Sequence, residues 1–233
     1  MGQSILQWLG NDYVAAVLAL GMIALYRAFL LQRLKRDPLY TVQAVNAVAR
    51  AAWVEMVMSN SSRDVLAVQT LRNSIMGPTF LASTAVLLII GTLTLSAQGA
   101  NLANTWHALN LSGSIQTEFF VAKLVLLLMD FFVAFFAFTM AIRMFIHVGY
   151  MINVPEAKQN RAITPKYVSF HLNRAGRFHT IGMRAYYYSV PLVFWLFGPL
   201  LMLSATVALV FLMHRMDRAP KIDLEHFSVT PSD

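Results

Sequence analysis

Three ionisable residues in or beside one apolar stretch are the best candidates in this chain for chemistry inside a membrane. Glu118, Lys123 and Asp130 belong to a segment that is otherwise almost wholly apolar. Because seven residues turn an α-helix by about 700°, Lys123 and Asp130 should share one face, ~10 Å apart along the axis. Ionisable groups cost ~2.5 kcal/mol or more each in hydrocarbon, so they usually face a bundle interior or a wet cavity. The three residues therefore predict a polar intramembrane stripe.

Two interpretations of this stripe remain open. It could form a path for protons, ions or a small solute. It could instead be a helix–helix contact in which Asp130 accepts hydrogen bonds from Ser83 or Thr84 while Lys123 extends toward the headgroups. Alanines at positions 134, 137 and 141 continue the same face and would allow close approach of another helix, as the second interpretation requires.

The segment carrying the stripe is one of four apolar stretches that are each long enough to cross a bilayer. They cover residues 12–31, 77–97, 119–147 and 187–214. A hydrocarbon core of ~30 Å needs about 20 apolar residues, and backbone in lipid must satisfy its hydrogen bonds within a helix. We expect an all-α integral membrane four-helix bundle, with residues 1–214 as one transmembrane domain and 215–233 as a flexible polar tail. The apolar fraction of 58% with only 12% charged residues agrees with this class.

Amphipathic helices are expected on the connections between these spans. Apolar residues recur at helical spacing over 45–57, and a second such pattern covers 166–180. Both predict helices lying at the cytoplasmic interface. Gly77-Pro78 indicates the start of the second span, and Pro191 with Gly198-Pro199 predicts a kink in the last one.

Basic residues predict the orientation in the membrane. The first and third connections each carry six Lys or Arg residues, whereas 98–116 carry none. The positive-inside rule then places both of these connections in the cytoplasm and both termini outside. An external C-terminus is disfavoured by the basic residues of the tail, Arg215, Arg218 and Lys221.

Several classes of site are excluded or disfavoured. The chain has no cysteine, so disulfides and thiolate chemistry are impossible. No nucleophile–base pair, phosphate loop or paired carboxylate is evident, and we expect neither an enzyme nor a cofactor. The histidines show no metal-binding spacing, so no metal is expected. A haem or metal between His147 and a connection histidine, His171 or His179, is the less favoured alternative. Nucleic acid is not an expected partner, since the basic residues are spread over membrane-bound helices.

Four segments resemble a family of uncharacterised proteins. They are AVQTLRNSIMG (67–77), TPKYV (164–168), GMR followed by YY (182–187), and PLVFWLFGP (191–199). In these the chain resembles domain-of-unknown-function family 599 of bacterial and plant membrane proteins. The resemblance implies several spans and no assigned activity, and it suggests a bacterial inner (plasma) membrane. It draws attention to Arg72, Asn73 and Arg184 as contacts for lipid headgroups or exposed carbonyls.

These observations lead to one hypothesis and one alternative. We expect a non-enzymatic, oligomeric membrane protein that transports or conducts a small solute or ion, because intramembrane charges lie near an interrupted helix. The alternative is an accessory or assembly subunit that packs against a larger membrane complex. The other expected partners are anionic lipid headgroups at the cytoplasmic face.

Overall fold

The chain folds into helices throughout the part that is described. A computed structural model describes residues 11–59, 61–97, 117–154 and 163–220. These residues form α1 (Asp12–Arg36), α2 (Val42–Met58), a 3-10 turn (Ser61–Arg63), α3 (Asp64–Ala97), α4 (Thr117–Met151), α5 (Pro165–Phe197) and α6 (Pro199–Asp217). The all-α prediction is confirmed. Four helices, α1, α3, α4 and α6, are long and apolar enough to cross a membrane.

The long helices pack side by side in antiparallel and parallel pairs. Helix α4 runs antiparallel to α5, since Val148 packs near Val168 at one end and Lys123 reaches Trp195 at the other. Helix α3 also runs antiparallel to α4, from the Ala67 cluster to the Ile89 cluster. By contrast, α1 and α6 are parallel, as the Ala15–Met202 and Tyr26–Leu209 contacts show. Large apolar side chains such as Leu20 and Leu87 point outward, as lipid contact requires.

The last predicted span, residues 187–214, is wrong in its boundaries. Helix α5 ends at Phe197, and Gly198 adopts φ 147°, ψ 154°, a conformation that residues with a Cβ rarely reach. The chain then reverses, so that Arg184 of α5 meets Asp217 of α6. The glycine-proline pair is therefore a turn between two antiparallel helices rather than a kink within one span.

Pro78, predicted to mark the start of a span, and Pro191, predicted to kink one, both lie inside continuous helices. Helix α3 passes through Pro78 without interruption, and the Thr79 hydroxyl donates to the carbonyl of Ile75 in the same turn. Helix α5 begins with the predicted amphipathic segment and continues past Pro191. Neighbouring helices and hydroxyl side chains can compensate for the proline's missing N–H, which explains why neither proline ends its helix.

The reversal at Gly198 puts the two ends of the described chain at opposite ends of the bundle. We call one end, with Asp12, Lys123 and Gly198, the Lys123 end, and the other, with Thr41, Met151 and Asp217, the Asp217 end. Thr41 forms an isolated backbone bridge with Arg218, so α6 ends beside the connection that follows α1. Beside the four helices that are long and apolar enough to span a membrane, α5 also runs from one end of the bundle to the other, and the side of the membrane on which each terminus lies stays a prediction.

Helix α2 turns a mixed side to the bundle, with Arg50 in its first part and the buried Val54 and Val57 in its second. Thr41 caps it by accepting a hydrogen bond from Ala44 N–H. Apolar residues of its predicted stripe, including Val45, Val48 and Met56, are exposed. Arg50 points the opposite way, toward α5, where it bonds Asn173. Only these exposed apolar residues of α2 are free to face lipid, because Val54 and Val57 are packed in the core.

Candidate functional site

The Lys123 end contains a buried ion pair. The Nζ atom of Lys123 lies 2.7 Å from Oδ1 of Asp12, and the two side chains are only 7% and 3% exposed. Trp195 donates from its indole Nε1 to the same oxygen at 2.8 Å. Its carbonyl oxygen lies 3.4 Å from Lys123 Nζ, and its ring centroid 5.2 Å. These contacts connect helices α1, α4 and α5.

This arrangement changes the interpretation of the predicted stripe. Lys123 neither extends outward nor acts with Asp130, because its ammonium group is bonded to Asp12 and the backbone of Trp195. The side chain of Glu118 lies outside the part of the chain that can be described. The structure therefore does not pair Lys123 with Asp130, the two stripe residues whose side chains it describes.

Asp130 is left without the partners expected for a helix–helix contact. Its Oδ2 atom is buried and has no hydrogen-bond partner among the described residues. The hydroxyl of Ser83 donates to Thr79 O, and that of Thr84 donates to Phe80 O, both within α3. The carboxyl group is therefore still able to take up a proton or a cation.

The Asp217 end holds a second ion pair, which is more exposed. Nη2 of Arg184 donates to both carboxylate oxygens of Asp217, at 3.1 and 3.0 Å. The hydroxyl of Tyr26 donates to the same carboxylate at 2.7 Å. Arg184 thus binds a carboxylate, whereas the family resemblance had suggested that it contacts backbone carbonyls or lipid headgroups.

A cavity of about 290 Å³, which we call the Asp217 cavity, opens beside this ion pair, between α2, α5 and α6. Its polar wall consists chiefly of Gln43, Asn46, Arg50, His179, Arg184 and Asp217. The guanidinium of Arg50 lies flat against Gly176, where a Cβ would come within 2.8 Å of its Cζ. Burial lowers the pKa of Arg50, whose Nε donates to the amide oxygen of Asn173 at 2.8 Å.

Arg72 and Asn73 lie elsewhere, on the exposed side of α3. Arg72 borders a groove of about 440 Å³ between α3 and α4 that is otherwise mostly apolar. Neither residue reaches the Asp217 cavity, so the three residues singled out by the resemblance do not form one site.

Two of the histidines, His147 and His171, are in ring contact. The rings of His147 and His171 lie 5.2 Å apart, and His179 packs instead against Phe138. Within the described residues no group of three or more His, Asp or Glu side chains could hold a metal ion. His214 contacts Phe29 near the Asp217 end, on the same side as His171.

Sequence reasoning missed the partners that define both ends. Asp12 stands at the start of an apolar stretch and Asp217 at the end of another, so each could have been suspected of pairing with an intramembrane cation. Nothing in the sequence indicated that Trp195 joins the first pair. Arg50 was counted only as one of the six basic residues of the first connection, although it points into the bundle.

The fold and its buried charges define a polytopic helical membrane protein. The chain belongs to the family described as "Protein of unknown function, DUF599", which matches residues 14–222. No curated protein and no solved structure matches the chain.

Proposed function

We propose that this protein transports or conducts a small solute or ion and performs no catalysis. The observation that carries the proposal is Asp130, whose buried Oδ2 has no partner among the described residues. An ionisable residue inside a membrane segment is expensive to maintain and commonly marks a pathway for protons or ions. Asp130 also lies about 10 Å along α4 from Lys123, on the way to the Asp217 cavity.

Flux measurements on reconstituted protein test this proposal. Liposomes with a valinomycin-set potential and a pH-sensitive dye report proton movement, and matched dyes report Na⁺, K⁺ and Cl⁻. We expect flux above that of empty liposomes, and a loss of about tenfold or more in Asp130→Asn, as removal of one essential charge would produce. Glu55→Gln, an exposed carboxylate on α2, is the control and should behave as the wild type. Absent wild-type flux, or full flux in Asp130→Asn, would contradict conduction.

The second candidate is an accessory or assembly subunit. Its support is the apolar groove between α3 and α4, which could seat a helix of another protein. Mass measurement after extraction in mild detergent distinguishes the two functions. A symmetric homo-oligomer supports conduction, because five packed helices leave little room for a path within one protomer. A foreign partner at fixed stoichiometry supports the accessory role.

We further propose that the Asp217 end faces the cytoplasm of a bacterial inner membrane, with the beginning of α1 outside. The described basic residues of both long connections lie at this end, and so do Arg215 and Arg218, which argued against a four-crossing topology. Five crossings remove that conflict with the positive-inside rule. Anionic headgroups would then contact exposed residues such as Arg72 and Asn73.

Cysteine labelling tests this orientation, and the chain offers no native cysteine to interfere. Lys35→Cys and Arg218→Cys should both resist a membrane-impermeant maleimide in intact spheroplasts and react after lysis. If the two positions label on opposite sides, the five-crossing topology is wrong.

A further inference from the structure

The Asp217 cavity is lined by polar residues from the first part of α2, whose inward side continues with the buried Val54 and Val57. Gln43, Asn46 and Arg50 of α2 line the cavity, while Val45 and Val48 on the other side of α2 are exposed. An interfacial helix ordinarily packs with its polar side toward water. Polar groups turned into a bundle need partners, because burial without hydrogen bonds is costly.

The positive charge of this cavity exceeds its negative charge. Arg184 is neutralised by Asp217, which also accepts from Tyr26. Arg50 has no carboxylate within 4.0 Å among the described residues, and its one hydrogen bond in that set goes to the neutral amide of Asn173. The wall therefore carries one arginine in excess. A partly buried arginine keeps its charge and favours an anion beside it.

The shape of the site favours a planar or tetrahedral oxyanion. Gly176 allows the Arg50 guanidinium to lie flat on α5, which fixes the plane of its N–H groups. His179 lines the same cavity and has a buried Nδ1 without a hydrogen-bond partner in the described residues. A guanidinium held in a fixed plane matches the oxygens of phosphate, and amide side chains such as Asn46 can complete the contacts.

We propose that the cavity between α2, α5 and α6 binds a phosphate group, with Arg50 as the principal ligand. The group can belong to a lipid headgroup or to free phosphate, since both present the same oxygens. This site does not depend on the transport proposal, because Asp130 contributes nothing to it.

Binding measurements on the full chain distinguish the two sources. Calorimetric titration with inorganic phosphate in phosphate-free dodecyl maltoside tests the free anion. Native mass spectrometry after exchange into phosphatidylglycerol nanodiscs, with digalactosyl diacylglycerol as the phosphate-free lipid, tests the headgroup. Binding in the first assay assigns free phosphate, and binding only in the second assigns the lipid. Binding in neither would overturn the proposal.

Substitutions then test whether Arg50 is the ligand. Arg50→Gln should weaken binding about tenfold or more, the effect of losing one charge-assisted contact of ~1.4 kcal/mol. Arg177→Gln, an exposed arginine on α5 outside the cavity, is the matched control and should bind as the wild type. Equal binding by both variants would exclude Arg50.

Gly176→Ala provides a second test that leaves every charge in place. The Cβ added at position 176 would lie only 2.8–3.0 Å from three atoms of the Arg50 guanidinium and would displace it. Binding should therefore fall as in Arg50→Gln. If Arg50→Gln does not fold, as judged by circular dichroism and gel filtration, this variant decides the matter. Undiminished binding in folded Gly176→Ala would contradict the proposed geometry.

Discussion

Lys123 and Arg50 are both cations turned into the bundle, but they meet different neighbours. Lys123 pairs with the Asp12 carboxylate at 2.7 Å and lies within reach of both the ring and the backbone of Trp195. Arg50 meets an amide and the backbone of Gly176, beside a cavity. The first charge is compensated by a carboxylate of the protein, whereas no carboxylate among the described residues compensates the second. We infer that the Lys123 end serves to hold α1, α4 and α5 together and that the Asp217 end serves to bind.

The largest effect should come from breaking the compensated pair. Lys123→Met leaves a carboxylate buried without its cation, which costs about 3–5 kcal/mol when a buried pair loses one partner. The free energy of unfolding in mild detergent micelles measures this loss. Lys35→Met, at an exposed position of α1, is the control and should change stability by no more than about 0.5 kcal/mol.

The double variant Asp12→Asn/Lys123→Met makes this prediction sharper. Removing both charges should recover part of the stability, because no unpaired ion remains buried. A double variant as unstable as the sum of the single ones would show that the two residues act independently. In that case the Lys123 end would not differ from the Asp217 end in the way that we infer.

The sequence was sufficient to predict much of the fold, for physical reasons that are local. Helix formation in long apolar segments follows from length and hydropathy, and the capping residues Thr41 and Thr164 begin their helices as their side chains favour. The reversal at Gly198 could not be predicted, because a glycine-proline pair permits either a kink or a turn. Packing of α6 against α1 and α5 decides between them.

The candidate sites were less predictable, because their partners come from distant parts of the chain. Asp12 and Lys123 are brought together because α1 packs on α6, α6 on α5 and α5 on α4, whereas periodicity within α4 linked Lys123 to Asp130 instead. The inward direction of Arg50 was missed for another reason. The amphipathic pattern of α2 separates apolar from polar residues, whereas the side that faces the bundle carries both kinds, Arg50 together with the buried Val54 and Val57.

A smaller effect on stability is expected at the Asp217 end. Asp217→Asn weakens the contacts with Arg184 and Tyr26, yet the Asp217 side chain is 23% exposed, so water replaces part of what is lost. We expect a loss of about 1–2 kcal/mol in the free energy of unfolding. Asp64→Asn, an exposed carboxylate at the start of α3, is the control. A loss as large as that of Lys123→Met would contradict the difference between the two ends.

The same substitution should improve anion binding while it lowers stability. With Asp217 neutral, Arg184 adds its charge to that of Arg50, and an anion in the cavity no longer faces a carboxylate. The interaction energy of two unit charges a few ångströms apart is ~1 kcal/mol in a water-like dielectric. Removing this repulsion between Asp217 and the anion should therefore raise the affinity for phosphate about fivefold. Titration of Asp217→Asn beside the wild type measures this change. If the Asp217 end binds phosphate, Asp217→Asn should lower stability and raise affinity. If the ion pair were purely structural, the substitution would lower stability and leave affinity for phosphate unchanged.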